Sequence, residues 1–372
     1  MFFIGEIMNI GILNESDSIE KRVAIVPETV KTLTKNGHNF FFESGCGENA
    51  GFPDEEYLDS GGKILEDNIK KIELLILLKC PQQEVIKKIK DKTTIISQLN
   101  ASNNSDAINE LKKINSTLFA MELVPRIARA QKMDILSSQA SIAGYKAAIM
   151  AANHLGKYFP MMMTAAGTIP PSKILVIGAG VAGLQAIATS KRLGANVEAF
   201  DVRDAAAEQV ESLGAKFLKQ ENSSDAEDEG GYAREQTENE KAAQKEFIKS
   251  NLNNVDALIT TAAIPGKKAP IIITKDMVES MKAGSVIIDL AAESGGNVEL
   301  TKPGEITNHN NVSIHGPINV PSSMAFHASQ LYSRNVMGLI ELIIDENRQF
   351  NLDFDDEIIK ATCVNFYNKE SK

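Results

Sequence analysis

Gly178, Gly180 and Gly183 stand at GxGxxG spacing, directly after a β-branched run, Ile174 to Ile177. An apolar-periodic stretch with Leu184, Ile187 and Ala188 follows, and a second apolar run, Val197 to Phe200, ends on Asp201. These residue types in this order suit the grip of a dinucleotide. Gly178 permits a tight turn, Gly180 lets backbone approach a pyrophosphate, and Gly183 lets the helix pack close to its strand. The helix N-terminus, from Ala179 and Val181 onward, offers free N–H groups and a positive dipole end to the phosphates. Asp201, eighteen residues beyond Gly183, sits where a carboxylate accepts adenosine ribose hydroxyls and repels a 2′-phosphate. NAD(H) is therefore favoured over NADP(H). Val202 and Arg203 complete that contact, and Arg203 is the neighbour that weighs the other way. The plainer alternative is a glycine-rich turn in an ordinary α/β domain.

A second polar group lies in Met121 to Ser138, MELVPRIARAQKMDILSS. Arg126, Arg129, Gln131 and Asp134 crowd an expected domain boundary, where active-site clefts form. Arg126 and Asp134 could pair, and Gln131 could offer its amide to a nicotinamide carboxamide. Read alone, the segment is equally an ion-paired loop.

The elements that must position these groups alternate strand with helix. Strands are predicted at Asn9 to Leu13, Asn39 to Glu43, Leu74 to Leu78, Thr94 to Ser97 and Thr117 to Met121, with helices such as Pro27 to Asn36 and Gln83 to Asp91. That alternation predicts an α/β fold with a doubly wound parallel sheet. Its first strand leads into Asn14-Glu15-Ser16-Asp17, without a glycine fingerprint, so this domain holds no dinucleotide of its own. A second Rossmann-like sheet of six strands is predicted from Ile174 to Ile177, Val197 to Phe200, Lys216 to Leu218, Ala257 to Thr261, Val286 to Leu290 and Val312 to His315. Its cofactor-facing loops are Thr260 to Gly266, with Ala262, Ala263, Ile264 and Pro265, and Ala291 to Asn297, with Glu293. Long helices, Ile135 to Leu155 and one within Ser323 to Asp345, join the two domains. The expected division is 1–134 plus 325–372 for the first domain and 135–324 for the NAD(H)-binding domain.

Composition narrows the function classes. A chain of 372 residues with 43% hydrophobic and 24% charged residues suits two globular domains. A net charge of −10 argues against nucleic acid and anionic membrane surfaces. Three scattered cysteines and five histidines without ligand spacing predict no structural metal and a reducing, cytoplasmic setting. No apolar run is long enough to span a bilayer. MFFIGEIM lacks a basic n-region, so no signal peptide is expected, and Met8 is an alternative start. Glu221 to Glu240 holds eight acids and one base and contains no Val, Ile, Leu, Met or Phe. Such a segment has nothing to bury and should form a mobile loop, about 220–245. Gly230-Gly231 would be its hinge. With Tyr232 as its one aromatic it reads either as a lid over the cofactor or as a surface insertion.

Over nearly its whole length the chain resembles the NAD(H)-binding component of proton-translocating NAD(P) transhydrogenases. The resemblance rests on RVAIVPETV from Arg22, MELVPR from Met121, RAQKMDILSSQ from Arg129, YFPMMMTAAGTIPP from Tyr158 and GAGVAGLQAIATSKRLGA from Gly178. EQVESLGAKF from Glu208, GGYA from Gly230, IPGKKAPIIIT from Ile264, SVIIDLAAESGGN from Ser285 and NVPS from Asn319 extend it. It implies that Arg126, Gln131, Asp134 and Ser137 hold the nicotinamide end of NAD(H), with Tyr232 on a mobile lid. It implies a homodimer, whose Tyr158 to Pro171 hairpin embraces the other protomer. It also implies a membrane subunit and an NADP(H)-binding beta subunit as partners, so that the chain is peripheral to the inner membrane. The same fold family contains alanine dehydrogenase, the alternative enzyme. Arg22 and Lys79 match its substrate-binding residues, but its catalytic His and Asp positions fall on Gln98 and Glu293. Gln98 cannot act as a general acid, so deamination looks disabled. Hydride passage between two nicotinamides needs no such group. A non-catalytic NAD-sensing module is the other rival.

Overall fold

The computed structural model describes residues 7–220, 237–263, 266, 268–345, 348 and 350–367. Tyr232, the Gly230-Gly231 hinge, most of the acidic loop, Ile264, Pro265 and the Met1 start lie outside the described residues. The chain divides into two compact units, Met1–Gln139 with Ser322–Lys372, and Ala140–Pro321.

The first unit is built on β1 (Asn9–Ile12), β2 (Asn39–Phe42), β3 (Lys63–Ile64), β4 (Leu74–Lys79), β5 (Thr94–Gln98) and β6 (Thr117–Ala120). The order is β6-β5-β4-β1-β2-β3, all parallel, and the strand Cys363–Asn365 adds antiparallel beside β6. β4 reads LLILLK and buries every residue but the last, as a strand covered on both faces must. Alternate residues serve opposite faces. Ile10, Phe40, Phe42 and Ile76 pack with Val30 and Leu33 of the Pro27–Lys35 helix and with Tyr332, Val336 and Leu339 of the Ala325–Ile343 helix. Phe41, Leu75, Ile95 and Leu118 pack with Ile86 and Leu111 on the other side. The helix expected over Gln83 to Asp91 is one turn, Gln83–Ile86. The chain then runs through bends to Lys92, in left-handed backbone (φ 69°), to enter β5.

In the second unit a small hairpin, β7 (Met162–Thr164) and β8 (Gly167–Ile169), precedes a sheet. The sheet holds β9 (Lys173–Ile177), β10 (Asn196–Phe200), β11 (Lys216–Phe217), β12 (Ala257–Thr260), β13 (Val286–Asp289), β14 (Ile306–His309) and β15 (Val312–His315). Their order is β11-β10-β9-β12-β13-β15-β14. The six expected strands are there in parallel, and the correction is β14, a seventh, antiparallel to β15. Asn310 and Asn311, with φ of 49° and 60°, form the two-residue turn between them. Both sheets are thus parallel with one antiparallel edge strand. The 20-residue helix Ile135–His154 carries the chain from the first unit into the second, whereas Ala325–Ile343 lies wholly in the first.

Candidate functional site

The glycine turn follows β9 in the second unit. Gly178 has φ +92°, and a methyl group there would lie 2.6 Å from Thr261 Oγ1. Gly183 packs so tightly that a methyl group would sit 1.8 Å from the Gly178 carbonyl oxygen. At Gly180, by contrast, a methyl group would meet no atom within 4 Å. The three glycines thus serve turn, packing and open approach. The helix Val181–Arg192 starts at Gly180 without a side-chain cap. Its C-terminus is closed by Gly194 in left-handed backbone, where Gly194 and Ala195 N–H groups reach Lys191 and Ser190 carbonyls. Near its start, Gly144 of the Ile135–His154 helix lets the Ala182 carbonyl approach to 2.0 Å of where a methyl would be. An open space at Gly180 against uncapped N–H groups fits a pyrophosphate.

Asp201 directly follows β10 and reaches back to this turn. Its carboxylate accepts the Ala179 N–H at 2.7 Å and the Arg203 N–H at 2.9 Å. The Arg203 guanidinium closes on it at 2.9 and 3.0 Å. Arg203 thus lies along Asp201. Val202 is half-buried beside them, and Val181 is exposed at the helix start. After β12, Thr261 donates its hydroxyl to the Gly178 carbonyl at 3.0 Å, and Ala262, half-buried, and Ala263, exposed, follow it in the chain. Glu293 is exposed on a single turn, Ala292–Ser294, after β13.

In the first unit, Arg126 is exposed on a bend between two short turns, Met121–Leu123 and Ala128–Met133, and Gln131 is exposed on the second. Asp134 and Ser137 come together: the carboxylate accepts Ser137 N–H at 2.9 Å and Ser137 Oγ–H at 2.6 Å. Asp134 is therefore the N-cap of the Ile135–His154 helix. Three residues that sequence reasoning missed hold this loop. Asn335 donates to the Lys132 carbonyl at 2.9 Å and accepts from Ser138 at 2.6 Å. Gly338 leaves room for Lys132 and Met133, and Asp356 pairs with Arg129 at 2.5 Å.

At the carboxyl ends of β4 and β5 lies a further polar cluster. Arg22 donates twice at 2.8 Å to buried Glu20 and once at 2.9 Å to Gln139, so every guanidinium nitrogen is engaged. Lys79 Nζ stands 3.4 Å from the same carboxylate. Glu15 accepts the N–H groups of Leu78 and Lys79, and Glu122 those of Leu99 and Asn100, so each carboxylate braces a strand end. Burial pushes the Glu15 carboxyl up to about 7 despite those hydrogen bonds. Burial likewise raises Glu122.

The N-terminal domain model of alanine dehydrogenase/PNT matches residues 11–143, and the C-terminal domain model matches residues 147–370. The chain is 44% identical over 369 residues to the first portion of the NAD(P) transhydrogenase subunit alpha of Rhodospirillum rubrum, covering 96% of each chain. A crystal structure of a transhydrogenase from Sinorhizobium meliloti superposes with a TM-score of 0.88 at 41% identity, over 96% of this chain and 99% of that one. Alanine dehydrogenase 1 of Staphylococcus aureus (strain Mu50 / ATCC 700699) is more distant, at 26% identity over 97% of this chain and 93% of its own. Among the described residues no helix is long and apolar enough to cross a membrane.

Proposed function

The chain belongs to the alanine dehydrogenase/PNT family, and on that premise we propose that it is the NAD(H)-binding alpha component of a proton-translocating NAD(P) transhydrogenase. The observation that carries this reading is the 44% identity, end to end, with the Rhodospirillum rubrum subunit. The glycine turn with its open Gly180 and its Asp201 supports NAD(H) as the resident cofactor.

When bound, NADH supplies the hydride, and NADP⁺ on a partner component accepts it. The chain's own work is to bind, orient and exclude water. N–H groups at the start of the Val181–Arg192 helix face the pyrophosphate, Ala179 gives its own N–H to Asp201, and Asp201, with Val202 and Arg203, receives the adenosine ribose. Ala262, Ala263 and Glu293 line the remainder. Arg126 and Gln131 orient the nicotinamide end, on a loop whose geometry is set by the Asp134–Ser137 cap. The working form is a homodimer joined through the β7–β8 hairpin. It is held at the cytoplasmic face of the inner membrane by a membrane subunit and an NADP(H)-binding beta subunit. Proton translocation belongs to those partners.

Alanine dehydrogenase chemistry fits less well. Gln98 offers no titrating proton, and Arg22 is already engaged by Glu20 and Gln139. The test mixes the purified chain with the NADP(H)-binding component of a transhydrogenase and follows reduction of an NADP⁺ analogue by NADH. Fast transfer that needs both proteins is the expected result. L-Alanine-dependent NADH formation by this chain alone would replace the reading with the dehydrogenase one.

A further inference from the structure

Resting on the dinucleotide reading above, we infer that Asn297 is a positioning residue of the NAD(H) site, fastening the Ala262 main chain against the glycine turn. Asn297 is fully buried just beyond β13. Its Oδ1 accepts the Ala262 N–H at 3.0 Å, and its Nδ2 donates to the Ala262 carbonyl at 2.7 Å and the Pro270 carbonyl at 2.9 Å. One side chain thus satisfies both polar groups of Ala262 and ties that residue to Pro270, eight positions on.

The anchor is itself anchored. Asn297 N–H donates at 2.8 Å to Asp289, which is fully buried. Asp289 also accepts Thr260 Oγ1 (3.0 Å), Ala291 N–H (3.1 Å), Val298 N–H (3.1 Å) and Thr301 Oγ1 (2.7 Å). The Asn297 backbone is therefore fixed before its amide is aimed. On the other side Ala262 N lies 3.3 Å from where a Gly178 methyl would be. Ala262 thus lies close against the turn, where a shift of its main chain would alter the space beside Gly178. Thr261 alone, through its hydroxyl bonds to Ile177 and Gly178 carbonyls, fixes only the residue before Ala262.

The test compares Asn297→Ala and Asn297→Ser with Thr301→Val. The valine variant removes one bond to the same Asp289 carboxylate but leaves the Asn297 side-chain bonds intact. NADH affinity is measured by titration of the full chain, and exchange of the Ala262 amide by hydrogen–deuterium exchange. Asn297→Ala should raise the NADH Kd about tenfold, the loss of roughly one well-made hydrogen-bond contact, and speed exchange at Ala262. Asn297→Ser keeps a small polar group, should fold if the alanine variant does not, and should show the same two changes. Thr301→Val should lower thermal stability while holding the Kd within about twofold and Ala262 exchange unchanged. Wild-type NADH affinity in the Asn297 variants, or equal weakening by Thr301→Val, overturns the assignment. Failure of the unmodified chain to bind NADH would instead sink the dinucleotide reading itself.

Discussion

Gly180 and Gly183, three residues apart in one fingerprint, answer different physical demands, and substitution should separate them. Gly183 has the Gly178 carbonyl where its side chain would go, so Gly183→Ala should destabilise the second unit by about 2–3 kcal/mol. Gly180 has ordinary backbone and open space, so Gly180→Ala should fold with stability within about 1 kcal/mol of the parent. It should nevertheless lose NADH affinity by at least about tenfold, because the methyl occupies the space proposed for the pyrophosphate. Thermal melts and NADH titrations on both variants decide it, and an unaffected Kd in Gly180→Ala would remove the turn from the phosphate site. Asp201 poses a subtler case, because its carboxylate also tethers Ala179 and Arg203. Asp201→Asn keeps the shape and one acceptor oxygen. It should weaken NADH binding about tenfold, and titration curves that overlay would take Asp201 out of the ribose contact.

Among the described elements, the β7–β8 hairpin buries none of its side chains. Met163 is 78% exposed, with Met161 and Ile169 also exposed beside it. Exposed apolar residues on a protruding ribbon suit a protein contact, consistent with the proposed homodimer. Met163→Asp should leave the melting temperature nearly unchanged and shift the solution mass toward that of a 40.4 kDa monomer. Light scattering that still reports a dimer would move the interface elsewhere. Local patterns made most of the elements legible in sequence: β9, its turn, its helix and β10 are consecutive, so spacing alone orders them. β14 carried a signal too, since Asn310-Asn311 between short runs is hairpin chemistry. Asp134 likewise stands three residues before Ser137 at a helix start, the spacing of a cap. Asn335, Gly338 and Asp356 were not legible, because they meet the Met121 to Ser138 loop from some two hundred residues away. Asn297 was hidden for another reason. Its bonds are to main-chain groups of Ala262 and Pro270, which leave no mark on residue type.

Over the whole molecule, groups of two kinds push stability in opposite directions with pH: the carboxyls of Glu15 and Glu122, raised by burial, and the imidazoles of His38 and His315, lowered by it. Glu15 in the first unit is raised by burial from 4.5 to about 7, with nearby Glu20 adding to the rise and the N–H groups of Leu78 and Lys79 opposing it. The folded chain therefore holds that proton more tightly than the unfolded one. Its contribution is full below 4.5 and is lost as pH climbs through about 7. His315 in the second unit is lowered from 6.5 to about 4 by burial and by His154, whose ring centroid stands 4.2 Å away. Its contribution is full above 6.5 and is lost as pH falls toward 4. Between 4.5 and 6.5 the two slopes oppose, each limited to about 1.4 kcal/mol per pH unit. The wild-type profile should therefore be shallower across that interval than with either group alone. Glu15→Gln removes one slope, so stability should lean more steeply upward with pH between 4.5 and 6.5 than in the wild type. His315→Asn removes the other, so stability should lean more steeply downward with pH over the same interval than in the wild type. Urea unfolding of the three proteins at half-unit steps of pH measures this. Profiles that run parallel would mean that neither group changes its proton affinity on folding.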